Sequence, residues 1–253
     1  MPTGPFLTTP AAAELRRAEG RFYICMALAA VATASAGFAP ALYNPSTRLA
    51  PLTWAVGIHG VIFSAWLALF LAQTLLVFNR RTALHRTLGY VGSGLAIIMV
   101  VSGYFTTIAM GRRGFDLSGD LIGDINDMPM LVLFQLGDIL CFGLLVGFAI
   151  LFRRRPDAHK RLMLLATVGG LMPAALAHII GHSPLLRELP AVIIVIPYAM
   201  FIFAGAVHDR VTRGRMHPVS LWVALALFAF INLRAAVIGP SDTWRAFASW
   251  LLL

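Results

Sequence analysis

Apolar residues run along this chain in long, nearly unbroken segments, and short turns between them hold most of the charge. Seven such segments fall at about 22–42, 53–78, 87–110, 129–152, 161–182, 190–208 and 218–238. Each is near the roughly 20 residues a helix needs to cross a hydrocarbon core. In lipid a segment must satisfy its own backbone hydrogen bonds, so the pattern predicts helices rather than strands. The expected fold class is all-α: a polytopic membrane protein of seven transmembrane helices, with 1–253 as one membrane domain. A lead at 1–21 precedes the first crossing. In it Thr9-Pro10 is a helix start and Gly20 a stop, which predicts a small surface helix over Ala11–Glu19. Arg16, Arg17 and Arg21 ahead of an apolar run, with Ala34-Ser35-Ala36 within it, resemble a cleavable signal. The run continues to Leu42, so a retained first helix is expected. At the other end, Ser241-Asp242-Thr243 starts a tail with Trp244, Phe247, Trp250 and Leu251 at helical spacing. That predicts a helix at 241–253 lying in the membrane interface, where Trp is favoured.

Composition agrees with the pattern. The chain is 59% hydrophobic and only 12% charged, with a mean hydropathy of +0.81, against about a quarter charged for soluble domains. The net charge of +9 sits in turns, where it signals topology and not nucleic-acid binding. The lead and the turns near 79–86, 153–161 and 209–217 hold most of the 20 basic residues. The expectation is an N-terminus in the cytoplasm, a C-terminus outside, and a place in the bacterial inner membrane, with the lipid bilayer as first partner. The two cysteines, Cys25 and Cys141, lie in apolar runs and form no CxxC or CxxCH. A disulfide framework, a zinc knuckle and covalently attached haem are therefore unsupported.

One turn is used twice. Arg80-Arg81-Thr82-Ala83-Leu84-His85-Arg86-Thr87-Leu88 and Arg154-Arg155-Pro156-Asp157-Ala158-His159-Lys160-Arg161-Leu162 share RRxxxH[RK]xL, each between two apolar segments. This predicts a duplicated helical hairpin, 53–110 and 129–182. The two copies would form a four-helix core of helices 2–5 about an axis along the membrane normal, with His85 and His159 in equivalent inner positions. The bland alternative is a good cytoplasmic turn used twice, because basic residues anchor helix ends anyway.

The candidate chemistry lies in the few polar residues within apolar segments. His59, Gln135, Asp138, His178, His182, Asn232 and Arg234 all fall in the expected outer half, so they predict an outer polar pocket drawn from four helices. Asp138 is the deepest and is either a functional acid or paired with Arg234. Asn232 and Arg234 are two apart, so one of them is expected to face inward. His178 and His182 at i, i+4 can share a cation, which makes His59, His178, His182 and Asp138 a candidate zinc set. Pro173 removes a backbone donor and frees the carbonyl of Gly169, predicting a kink in the fifth segment. Pro197 does the same in the sixth. The loop at 111–128, with Asp116, Asp120, Asp124 and Asp127, reads as solvated or as an acidic mouth.

The series His59-Gly60, Gln73, Leu84-His85-Arg86-x-Leu88-Gly89 and His159-Lys160-Arg161-Leu162-Met163 resembles a group of bacterial multi-pass membrane proteins of uncharacterised function. Some of that group are distantly similar to cytochrome b561-type four-helix haem proteins. The resemblance covers about 53–182. It implies b-type haem between paired histidines: His59 with His178 or His182 near the outer face, and His85 with His159 near the inner face. Both inner histidines sit at helix starts, which departs from ligands buried deep on shared helices. Three function classes follow. The first is a haem b or quinone-linked redox membrane protein. The second is a His/Asp zinc-dependent membrane enzyme. The third is a non-enzymatic transporter, binder or accessory subunit, with a membrane-complex partner or a homo-oligomer.

Overall fold

A computed structural model describes residues 10–44, 52–114, 127–187 and 192–253. The described residues are helical throughout their regular structure. In chain order the helices are α1 (Pro10–Tyr43), α2 (Trp54–Phe78), α3 (Thr82–Arg113), α4 (Met128–Leu151), α5 (Pro156–His182), the short α6 (Pro184–Arg187), α7 (Val192–Arg213), α8 (Pro218–Leu233) and α9 (Asp242–Leu251). A π-helical turn, Arg234–Ile238, extends α8. Six helices are long and apolar enough to cross a membrane: those at Ala12–Pro40, Trp54–Phe78, Thr82–Arg113, Met128–Leu151, Pro156–His182 and Pro218–Ile238. The chain is a multi-pass membrane protein.

Helix starts are written in the sequence. Thr53 accepts the amide of Val56 ahead of α2, and Asp127 accepts that of Met130 ahead of α4. Ser241 accepts that of Trp244 ahead of α9. Such caps satisfy amides that the first turn of a helix leaves unpaired.

Long helices run up and down the bundle, with α5 at its centre. It packs against α1, α4, α7 and α8, and its side chains from Leu164 to Pro173 are almost all buried. Trp66 of α2 donates its indole N–H to Thr167 of α5 at 3.2 Å and meets the edge of Phe142 of α4. Helix α7 runs back along α5, so its C-terminal end meets the N-terminal end of α5.

One expectation changes. The first helix does not stop at Gly20: α1 is continuous from Pro10 to Tyr43. A Cβ at Gly20 would stand 2.6 Å from the Phe78 ring, so the residue provides close approach and not a break. Helix α1 is an integral part of the bundle. It packs on both α2 and α5, with Ala27 and Ala30 fully buried and Gly37 set directly against the carbonyl of Ala175. The acidic stretch Asp116–Asp124 lies outside the described residues.

Candidate functional site

At the α2–α3 and α4–α5 turns, the histidines of the repeated motif come together. His85 and His159 are each the fourth residue of their helix, α3 and α5. Their rings stand 6.3 Å apart, centre to centre, with planes at 80°. The Nδ1–H of His159 donates to the carbonyl of Ala149 at 2.8 Å, which leaves Nε2 as its free lone pair. Gln73 of α2 donates to the backbone carbonyl of His85 at 3.2 Å, bracing the first turn of α3. Two atoms here, His85 Nδ1 and Gln73 Oε1, are buried without a hydrogen-bond partner. Buried polar atoms are paired in the great majority of cases, so these two are exceptions, as are Arg213 Nε and Arg234 Nε elsewhere in the bundle.

The two turns that present these histidines differ in backbone. After α2, Arg80 adopts φ of 60°, while Arg80 N–H bonds Val77 O and Arg81 N–H bonds Leu76 O. This is the left-handed helix stop usually given to glycine. The second turn uses no positive φ; Arg155 precedes Pro156, the first residue of α5.

Beside the histidine pair lies a network that the turn-charge reading missed. Arg161 and Asp209 are both almost fully buried. Arg161 donates through Nε to Asp209 Oδ2 at 3.0 Å and through Nη2 to Asp209 Oδ1. Ser220 of α8 donates to Asp209 at 2.6 Å and accepts from Arg161 Nε at 3.1 Å. Around this centre, Glu19 of α1 pairs with Lys160 at 2.8 Å and Arg213 at 2.7 Å. Asp157 pairs with Lys160 at 2.7 Å. Three acids face three bases, so the cluster is formally neutral and joins α1, α5, α7 and α8. Nearby His217 caps α8, its Nδ1 accepting the amide of Val219. Burial first, and then the Arg161 charge, hold its pKa below the usual histidine value.

Among the described residues, the polar side chains at the other end of the bundle lie in separate contacts. His59 lies 3.2 Å from the Thr106 hydroxyl, and that hydroxyl donates to the carbonyl of Ser102 at 2.7 Å. Its lone pair is therefore placed to accept a hydrogen bond from His59 Nδ1–H. His59 also stacks on Phe63. His178 packs instead on Phe38 of α1 and beside His182, whose Nδ1 meets the His178 carbonyl. Among the described residues no ring contact joins His59 to either. Asp138 is held by Arg234 Nη2 at 2.8 Å. Arg234 also donates to Phe134 O and lies over the rings of Phe134 and Phe230. Gly137 makes the space, since a Cβ there would overlap the guanidinium. Asn232 is exposed and bonded to Phe228 O, so Arg234 is the inward member of that pair. Gln135 is half-buried on α4. No three His, Cys, Asp or Glu side chains among the described residues form a ligand set for a metal ion. The expected outer zinc group is thus dispersed, because its acid is taken by Arg234 and its histidines face different helices.

Comparison with protein-family models, with curated proteins and with solved structures finds no match to this chain.

Proposed function

We propose that this chain is a seven-crossing redox protein of the bacterial cytoplasmic membrane, with His85 and His159 as the two protein ligands of a b-type haem. The observation that carries the reading is the facing histidine pair. Two imidazoles bound through one nitrogen each to a single metal, at about 2.0–2.1 Å, place their ring centres about 6 Å apart. The separation of 6.3 Å agrees. The donor count favours haem over a bare cation. Zinc takes about four ligands, mostly from protein, whereas haem iron needs only axial ones. Two histidines suffice for the second and not for the first.

Haem held by His85 and His159 would supply one-electron exchange at iron. The chain's own residues do the positioning. The Ala149 carbonyl fixes the ring and tautomer of His159, as outer partners of metal-binding histidines do. Gln73 ties the start of α3 and so sets where His85 stands. The neutral charge cluster at Arg161 and Asp209 fixes the N-terminal end of α5, which carries His159.

Seven crossings add α7 to the six apolar helices. Its length of 22 residues corresponds to about 33 Å, and its antiparallel course along α5 supports the count. An inside N-terminus rests on the excess of Arg and Lys at the end bearing the two repeated turns. The shared fourth-residue position of His85 and His159 supports a duplicated hairpin. Protein made in haem-supplied cells is expected to carry b-type haem at about one per chain. His85→Ala or His159→Ala should remove it, and His178→Ala should not. Haem-free wild-type protein would refute the reading.

A further inference from the structure

We propose that the groove between α2 and α3, at their shared turn, binds one anionic phospholipid, with its phosphate on Arg81 and its acyl chain along the leucines. The groove has a volume of about 610 Å³ and is walled by Leu75, Leu76, Leu84 and Leu88, with Asn79 and Arg81 at the turn end. That volume is within the ~300–1,000 Å³ of small-molecule sites. Its walls are apolar on both helices, and its only charged lining residue is at the end where lipid headgroups lie. This amphipathic order, hydrocarbon then cation, matches a phospholipid and not a soluble anion.

Charge bookkeeping points to the sign of the headgroup. The α2–α3 hairpin contains no Asp or Glu from Trp54 to Arg113, yet its turn carries Arg80, Arg81 and Arg86. None of these three guanidinium groups has a hydrogen bond or ion pair to a described residue. At the twin turn Lys160, the counterpart of Arg86, and the neighbouring Arg161 are matched by Glu19, Asp157 and Asp209, while Arg154 and Arg155 have no ion pair to a described residue. The α2–α3 turn has no such acids, and its Arg81 stands at the mouth of an apolar groove, where an external anion would balance it. Basic pockets between membrane helices bind anionic headgroups in this way.

Wild-type protein in mixed micelles is tested by native mass spectrometry with phosphatidylglycerol against phosphatidylcholine. The expected result is selective retention of one phosphatidylglycerol. Arg81→Gln should weaken retention about fivefold, while Arg154→Gln at the twin turn should leave it unchanged. Leu84→Trp, which fills the groove without touching charge, should abolish it. Inorganic phosphate should not compete. Equal retention of both lipids, an unchanged Arg81→Gln, or displacement by inorganic phosphate would overturn the proposal. So would a cysteine at position 84 cross-linking to a second copy, which would assign the groove to self-association.

Discussion

Removing Asp209 is the sharpest test of how this bundle is held together. Asp209 is 2% exposed and accepts from Arg161 Nε, Arg161 Nη2 and the Ser220 hydroxyl. Asp209→Ala leaves a guanidinium that is itself 2% exposed, with Nη2 unmatched and Nε held by Ser220 alone. Breaking a buried pair from one side costs about 3–5 kcal/mol, because the remaining charge stays buried. At about 2–4 °C per kcal/mol for a chain of this size, the melting temperature should fall by roughly 6–20 °C. Arg161→Leu with Asp209→Leu removes both charges and should recover most of that loss, since an apolar pair is often as stable as a buried ion pair. Thermal unfolding in detergent, followed by a thiol-reactive dye, reads both. An Asp209→Ala protein that melts within about 2 °C of wild type would refute a buried, coupled pair. So would a double variant that loses the sum of the two single losses, because coupled partners must be non-additive.

Two further outcomes follow from local geometry. Pro173 frees the Gly169 carbonyl, and the Tyr198 hydroxyl donates to it at 3.3 Å. Tyr198→Phe should therefore cost about 1–3 kcal/mol, and much less in a Pro173→Ala background, where the residue-173 amide can bond position 169 again; a double-mutant cycle on thermal stability measures this. The folded pKa of His217 lies below its unfolded value, through burial and the Arg161 charge, opposed by Asp209 and Asp157. Its neutral form is the one that fits, so the stability tied to it is complete above about pH 6.5. That stability is lost as pH falls through the depressed folded pKa, and melting curves across that window should flatten in His217→Ser, which keeps a cap.

The apolar segments were legible because lipid imposes one simple rule, about 20 apolar residues per crossing. The tail helix with its Ser241 start and the Asp138–Arg234 pair were readable for the same reason, since an acid and a base in hydrocarbon must find each other. The charge cluster was not. Glu19, Asp157 and Asp209 are far apart in sequence, and beside basic residues near the turns such acids look solvated. Only the packing of α1 and α7 on α5 brings them together. Gly20 misled because glycine ends helices and also lets them touch, and the two uses look alike in one dimension. The separate contacts of the outer residues were not legible, because depth along a helix does not give azimuth: His59 turns to Thr106 on α3, while His178 turns to Phe38 on α1. The contact of His85 with His159 was legible because the shared motif sets each histidine at the fourth residue of its helix.

The visible absorption spectrum of the purified protein tests the central claim most directly. Bound b-type haem on His85 and His159 predicts a Soret band and sharp low-spin α and β bands on reduction, all lost in His85→Ala and in His159→Ala. A colourless wild-type protein from haem-supplied cells would contradict the account, as would a spectrum unchanged in both variants.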